Sequence, residues 1–289
     1  MKTIAFYHNK GGVGKTTASI NLAAALRNLG YRVLLIDLDA QANSTFATGL
    51  VKFQFDEEDD LKERNVSHLL ESSEFGLIPE IVRSSQYFNE PELDVIPAHV
   101  DLIEKQDKFN KSTATRIRLS NKLNQVANQY DFVIIDAPPS RDIYAQVALI
   151  TADYLIIPSD LKPFANQGLP TVKRFITEEI DETRQALGKN SLKVLGVLPS
   201  KVLTNAQYLK FVFPKQKQTV LNQYGLPVLD SILYDRTVLS NCLNKILPIG
   251  DLQIPDPKSI FAFDANSDSA QEFLALANEV LAKMELSHG

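Results

Sequence analysis

Between residues 3 and 30 the chain sets an apolar run, a glycine-rich turn and a helical pattern end to end, and few folds accommodate that order. Thr3 to Tyr7 reads as a buried strand. The turn is His8-Asn9-Lys10-Gly11-Gly12-Val13-Gly14-Lys15-Thr16-Thr17, after which Ile20, Leu22, Ala23, Leu26 and Leu29 recur at helical spacing and Gly30 supplies the stop. Glycines at 11, 12 and 14 let the backbone curl until successive N–H groups point inward, and the helix N-terminus adds partial positive charge. Such a loop cradles polyphosphate between Lys10, Gly11, Gly12, Val13, Gly14, Lys15, Thr16 and Thr17. Lys15 would reach the terminal phosphates, and the Thr16 hydroxyl would ligate magnesium.

Two further apolar runs end in carboxylates. Arg32 to Ile36 runs into Asp37-Leu38-Asp39-Ala40-Gln41-Ala42-Asn43-Ser44-Thr45, and Tyr130 to Ile135 into Asp136-Ala137-Pro138-Pro139. One aspartate after a strand is ordinarily a solvated loop. In an open parallel sheet, however, ligands sit beyond the carboxyl ends of strands, which brings these acids to the phosphate loop. Strands are also expected at 93–97, Tyr154 to Pro158, Lys193 to Pro199 and Leu226 to Ile232, with helices around Val66 to Leu70, from about Gln167, and over Asp268 to Met284. Strands alternating with helices imply one doubly wound α/β domain over residues 1–289, its mainly parallel sheet flanked by helices on both faces.

KGGVGKTT, with a lysine ahead of the glycines, resembles the deviant Walker A box of the ParA/MinD ATPase superfamily. DLDAQ resembles its Walker A′ box, and IIDAPP its Walker B strand and switch. LDVIPAHVDL and ADYLIIPSDLKPFANQGL are similar to further family segments. The resemblance implies ATP hydrolysis with magnesium. Asp39 would orient the attacking water, Asp37 would lie near the metal, and Asp136 would hold magnesium through water and accept a hydrogen bond from Thr16. Lys10, Lys15, Asp39 and Asp136 would be the catalytic set, with Lys10 reaching into the nucleotide of a second subunit. The implied assembly is a homodimer that forms on ATP and separates after hydrolysis, prompted by a ParB-like or adaptor protein. Two departures stand out: Ser140-Arg141-Asp142 replaces the family's glycine-containing switch, and Leu233-Tyr234-Asp235-Arg236 replaces a proline segment near the adenine.

Composition limits the partners. Cys242 is the only cysteine, which excludes an internal disulfide and a four-cysteine metal site and agrees with a reducing, cytoplasmic setting. No apolar run approaches the roughly 18 residues of a membrane span, and no leader pattern precedes the first strand. His68, His99 and His288 lack metal-ligand spacing, and His8 has no evident acid–base partner. The formal net charge is −5, yet residues 189–245 carry 8 basic and 2 acidic residues, while residues 51–108 carry 15 acidic and 6 basic ones. The acid run Asp56 to Asp60 reads as a solvated loop. In the basic segment, Lys201, Lys210, Lys215, Lys217, Arg236 and Lys245 are candidates for salt-sensitive, sequence-independent contacts to double-stranded DNA. The resemblance agrees, since ParA proteins bind nucleoid DNA as ATP dimers and position a cargo. Two alternatives stay open: an ATP-dependent ligase of the same fold, similar to dethiobiotin synthetase, and a MinD-like membrane-positioning ATPase. The C-terminus lacks the basic amphipathic tail of the latter, so no membrane partner is expected.

Overall fold

The computed structural model describes residues 1–50, 59–74, 76–249 and 252–285; of the acid run, positions 56–58 lie outside these, as do His288 and the last residues of the tail. Seven strands form one sheet: β1 (Lys2–Phe6), β2 (Val33–Asp37), β3 (Arg83–Ser85), β4 (Leu93–Ile96), β5 (Phe132–Asp136), β6 (Tyr154–Ser159) and β7 (Lys193–Pro199), in the order β3-β4-β2-β5-β1-β6-β7. All neighbours pair in parallel except β3, which runs antiparallel to β4 at the edge.

Side chains of each strand alternate between two buried clusters. Ala5, Leu34, Ile36, Val133, Ile135, Leu155 and Ile157 face one, and Ile4, Phe6, Val33, Leu35, Phe132, Ile134 and Ile156 face the other. Helices Asp101–Lys111, Thr115–Gln125 and Ile143–Thr151 cover the first face. The second is covered by α1 (Lys15–Asn28) and the helix Asp268–Glu285. Burial on both faces explains why the strands read as continuous apolar runs, and the doubly wound architecture is the expected one.

Helix α1 ends as its sequence indicates. Gly30 has φ 92°, its N–H donates to the Arg27 carbonyl at 3.0 Å, and the Tyr31 N–H donates to Leu26 at 3.1 Å, a Schellman closure that needs a left-handed residue.

The expected strand at Leu226–Ile232 does not form. The chain makes only isolated parallel bridges there, Val197 with Val228 and Val202 with Tyr234. Pro227 has no N–H to give a ladder, and the N–H groups of Asp230 and Ser231 are taken at 2.9 and 2.8 Å by the Glu279 carboxylate of the C-terminal helix. Beyond it the chain adds a helix, Thr237–Leu243, and a hairpin of β8 (Ile246–Ile249) and β9 (Leu252–Pro255).

Candidate functional site

The central strands deliver three motifs to one end of the sheet. In β1, Phe6 pairs with Asp136 of β5, and Asp136 pairs on its other side with Asp37 of β2. The phosphate loop leaves β1 directly beside both acids. Gly12 and Gly14 adopt φ 76° and 87°, and Gly14 starts α1 without a side-chain cap, so the first-turn N–H groups stay open to an anion. Nothing lies within 4 Å of where a Cβ would stand at Gly11 or Gly12.

Around this loop a cavity of about 410 Å³ is lined by Gly11, Gly12, Gly14, Lys15, Thr16, Thr17, Asp39, Gln41, Asn43, Pro139 and Lys201. Lys15 is buried, and its Nζ donates to the Lys10 carbonyl at 3.2 Å. Burial lowers its pKa, opposed by Asp136 and Asp39. Thr16 Oγ1 donates to Asp136 Oδ2 at 2.7 Å, and Ser44 Oγ donates to the same oxygen at 2.6 Å. Asp136 Oδ1 is buried and has no partner among the described residues. A carboxylate oxygen kept dry beside a threonine hydroxyl and a lysine suits a hydrated divalent cation on its open side. Thr16 and Asp136 are therefore the residues that would hold magnesium.

Asp37 serves the loop rather than the cavity. Its Oδ2 accepts from the Thr45 N–H at 2.9 Å and hydroxyl at 2.8 Å, and its Oδ1 accepts from the Asp39 N–H at 3.0 Å. Burial raises the pKa of Asp37 and of Asp136, with a lesser push on Asp37 from Asp136 and on Asp136 from Asp39. The bonds from Thr45 hold Asp37 in place and fix the turn that leads into α2 (Asn43–Ala47). Asp39, whose Oδ1 accepts from the Gln41 N–H at 3.0 Å, then stands on the cavity wall.

The other loop residues are anchored as well. His8 is buried, its Nδ1 accepts from the Lys10 N–H at 3.0 Å, and burial together with Lys15 and Lys10 pushes its pKa down to about 4, so it is a neutral strut. Lys10 does not line the cavity; its Nζ lies 4.3 Å from the ring centre of Phe164, which is 71% exposed. The altered switch is pinned on three sides. Tyr7 Oη donates to the Ser140 carbonyl at 2.8 Å, Arg141 pairs with Glu179 and lies 5.0 Å from the Phe175 ring, and Asp142 caps the helix Ile143–Thr151.

A second cavity of about 300 Å³ adjoins the first through Gly14, Thr17 and Lys201, and continues along Leu233, Tyr234, Asp235, Arg236, Leu239, Asn244 and Phe273. The sequence points to it only through Leu233-Tyr234-Asp235-Arg236, the stretch that departs from the family's proline segment near the adenine. Its walls come from the segment that follows Leu226–Ile232, from the helix Thr237–Leu243 and from the C-terminal helix, and Gly14 and Thr17 tie them to the phosphate loop. Ser44 and Ser200 were missed: each acts through a tertiary contact, Ser200 Oγ donating to the Val13 carbonyl at 2.7 Å.

The basic candidates are dispersed. Lys217 pairs with Asp230 at 3.0 Å, Arg236 with Glu272 at 2.8 Å and Asp268 at 2.9 Å, and Lys245 with Asp256 at 3.2 Å. Lys210 lies 5.2 Å from the Phe211 ring, while Lys215 has no side-chain partner among the described residues. Lys201 lies at the cavity seam. Elsewhere, His99 bridges Asp59 at 2.8 Å and Asp101 at 3.3 Å, so Asp59 belongs to a packed joint rather than a solvated loop. Among the described residues no group of three metal-ligating side chains occurs, and no helix is long and apolar enough to cross a membrane.

A family profile described as an AAA domain matches residues 1–189. A virulence plasmid ParA family protein, pGP5-D of Chlamydia psittaci, is 30% identical over 286 residues, covering 98% of this chain and 96% of that one. Among solved structures, cobyrinic acid a,c-diamide synthase from Mycobacterium smegmatis with bound ADP and magnesium superposes with a TM-score of 0.74 at 24% identity, over 99% of this chain and 96% of the other. A Cyanothece McdA complex with ATP gives 0.71 at 21% identity, over 97% and 96%. At these identities the structural likenesses establish the fold.

Proposed function

The chain belongs to the ParA family of P-loop ATPases, and from that premise we propose that it is a magnesium-dependent ATP switch that pairs with a second copy on ATP and carries a cargo over nonspecific DNA. The observation that carries the chemistry is the Oδ1 of Asp136, buried and without a partner among the described residues, on a carboxylate whose other oxygen accepts from Thr16 on the wall of the cavity that Lys15, Thr16 and Asp39 share.

Lys15 and the open N–H groups of α1 hold the terminal phosphates and offset the charge that develops on them. Thr16 and, through water, Asp136 would hold magnesium, which would supply positive charge to neutralise the phosphates. Asp39 stands where it can orient a water, so the acceptor is water and the products are ADP and phosphate. Asp37 keeps Asp39 there. The second cavity suits the nucleoside of the same ligand, being continuous with the phosphate cavity and bounded partly by apolar side chains.

Lys10 supports the dimer reading, because its ammonium lies outside its own phosphate cavity on an exposed ring, free to enter a partner's site. Lys210, Lys215 and Lys217, on the helical run Tyr208–Val212 and Phe213–Tyr224, are the proposed DNA contacts. Lys217 is included because an exposed ion pair exchanges readily for phosphate. The partner that stimulates hydrolysis would be ParB-like or an adaptor, and the protein would be found on the nucleoid. The test is DNA co-sedimentation with ATP, ADP or no nucleotide. Binding with ATP alone is expected, and equal binding in all three conditions would refute the switch.

A further inference from the structure

We propose that Lys201 is a nucleotide-binding residue whose ammonium contacts the phosphate nearest the nucleoside, and not part of the DNA surface. The assignment rests on the ATP reading above. β7 ends at Pro199, and the Ser200 hydroxyl at once ties the chain to the phosphate loop through the Val13 carbonyl. Lys201 then takes φ 52°, a left-handed conformation that costs a non-glycine residue free energy and persists where the surroundings impose it. Here they do. The Ser200 N–H donates to Ser159 at 2.9 Å on one side, and on the other the Val202 N–H donates to Leu233 at 3.1 Å while its carbonyl accepts from Asp235 at 2.9 Å.

The turn directs the lysine stem past Gly14, with its Cγ 3.9 Å from the place of a Cβ there. Lys201 consequently lines both cavities, a property it shares with Gly14 and Thr17 of the phosphate loop. Its ammonium has no hydrogen bond or ion pair among the described residues, whereas Lys217, Arg236 and Lys245 each have an acid partner. An unneutralised cation at the seam between a phosphate cavity and a nucleoside-sized one matches the α-phosphate, whose charge ATP and ADP have in common.

The test is fluorescence titration of the full-length protein with magnesium-ATP and magnesium-ADP, for wild type, Lys201→Ala, Lys201→Arg and Lys201→Gly. Loss of one charge-assisted contact should weaken both nucleotides to a similar extent, by about tenfold, in the alanine variant, with arginine restoring most of the affinity. The glycine variant relieves the left-handed strain, so its melting temperature should equal or exceed that of wild type while its nucleotide affinity falls as in alanine. Unchanged affinity in Lys201→Ala overturns the assignment, and so does a glycine variant that binds like wild type, since the backbone alone would then matter. If wild type itself binds no ATP, it is the ATP reading that fails.

Discussion

The phosphate loop and the basic segment are both defined by charge, yet they behave oppositely on folding. In the loop, residues within a ten-residue window remain together, and the acids that join them arrive at the ends of β5, the neighbour of β1, and of β2 beyond it. In residues 189–245 the lysines and arginine spread over several elements, and acids from outside that window, Asp256, Asp268 and Glu272, bind two of them. Lys189 is drawn away altogether, donating to Ser120 at 2.6 Å and to the Ile150 carbonyl at 3.1 Å. A motif survives folding because its function needs adjacency along the backbone. A charge count does not, because any acid close in space cancels it.

The largest expected effect is on the motif side. Lys15→Ala should weaken ATP binding by more than about a hundredfold, since it removes charge-assisted bonds in a dry site; affinity near that of wild type in calorimetric titration would end the contrast by showing the loop dispensable. Asp39→Ala sharpens it. ATP and the ATP-dependent dimer should persist while turnover drops by roughly 10²–10⁴-fold, and undiminished phosphate release would give the water to another residue.

His8 tests whether the loop is a rigid local unit. Its pKa is depressed to about 4 against 6.5 for a free histidine, so the unfolded chain binds the extra proton first as pH falls. That contribution to stability is complete above pH 6.5 and is lost toward about pH 4, amounting to about 3 kcal/mol. Urea unfolding of wild type and His8→Gln at pH 7 and pH 4.5 should show the wild type losing more, and parallel losses would mean that the imidazole is not buried neutral.

The smallest effect is expected on the dispersed side. Lys215→Glu with Lys217→Glu should lower DNA affinity by about tenfold and reduce the salt slope by roughly 2, one phosphate contact per lysine. An unaltered slope in a salt titration would move the DNA surface off this helix and leave the basic segment with no shared role.

The sequence by itself determined the α/β class, six strands and the ends they reach, and the phosphate loop with its lysine, threonine and acids. Periodicity and glycine position act through the local backbone, so the run into Asp136 or the stop at Gly30 reads the same alone or folded. Only the tertiary structure decided that Leu226–Ile232 forgoes a strand, that Asp37 clamps the Asp39 turn, and that Ser44 joins Thr16 on Asp136. It also decided that Lys201 stands on a cavity seam while Arg236 is neutralised by the C-terminal helix. Apart from the Asp37 clamp, which is local, these depend on a partner many residues away in the chain, such as Glu279 on the Asp230 and Ser231 N–H groups or Val13 under Ser200, and only packing brings such partners together.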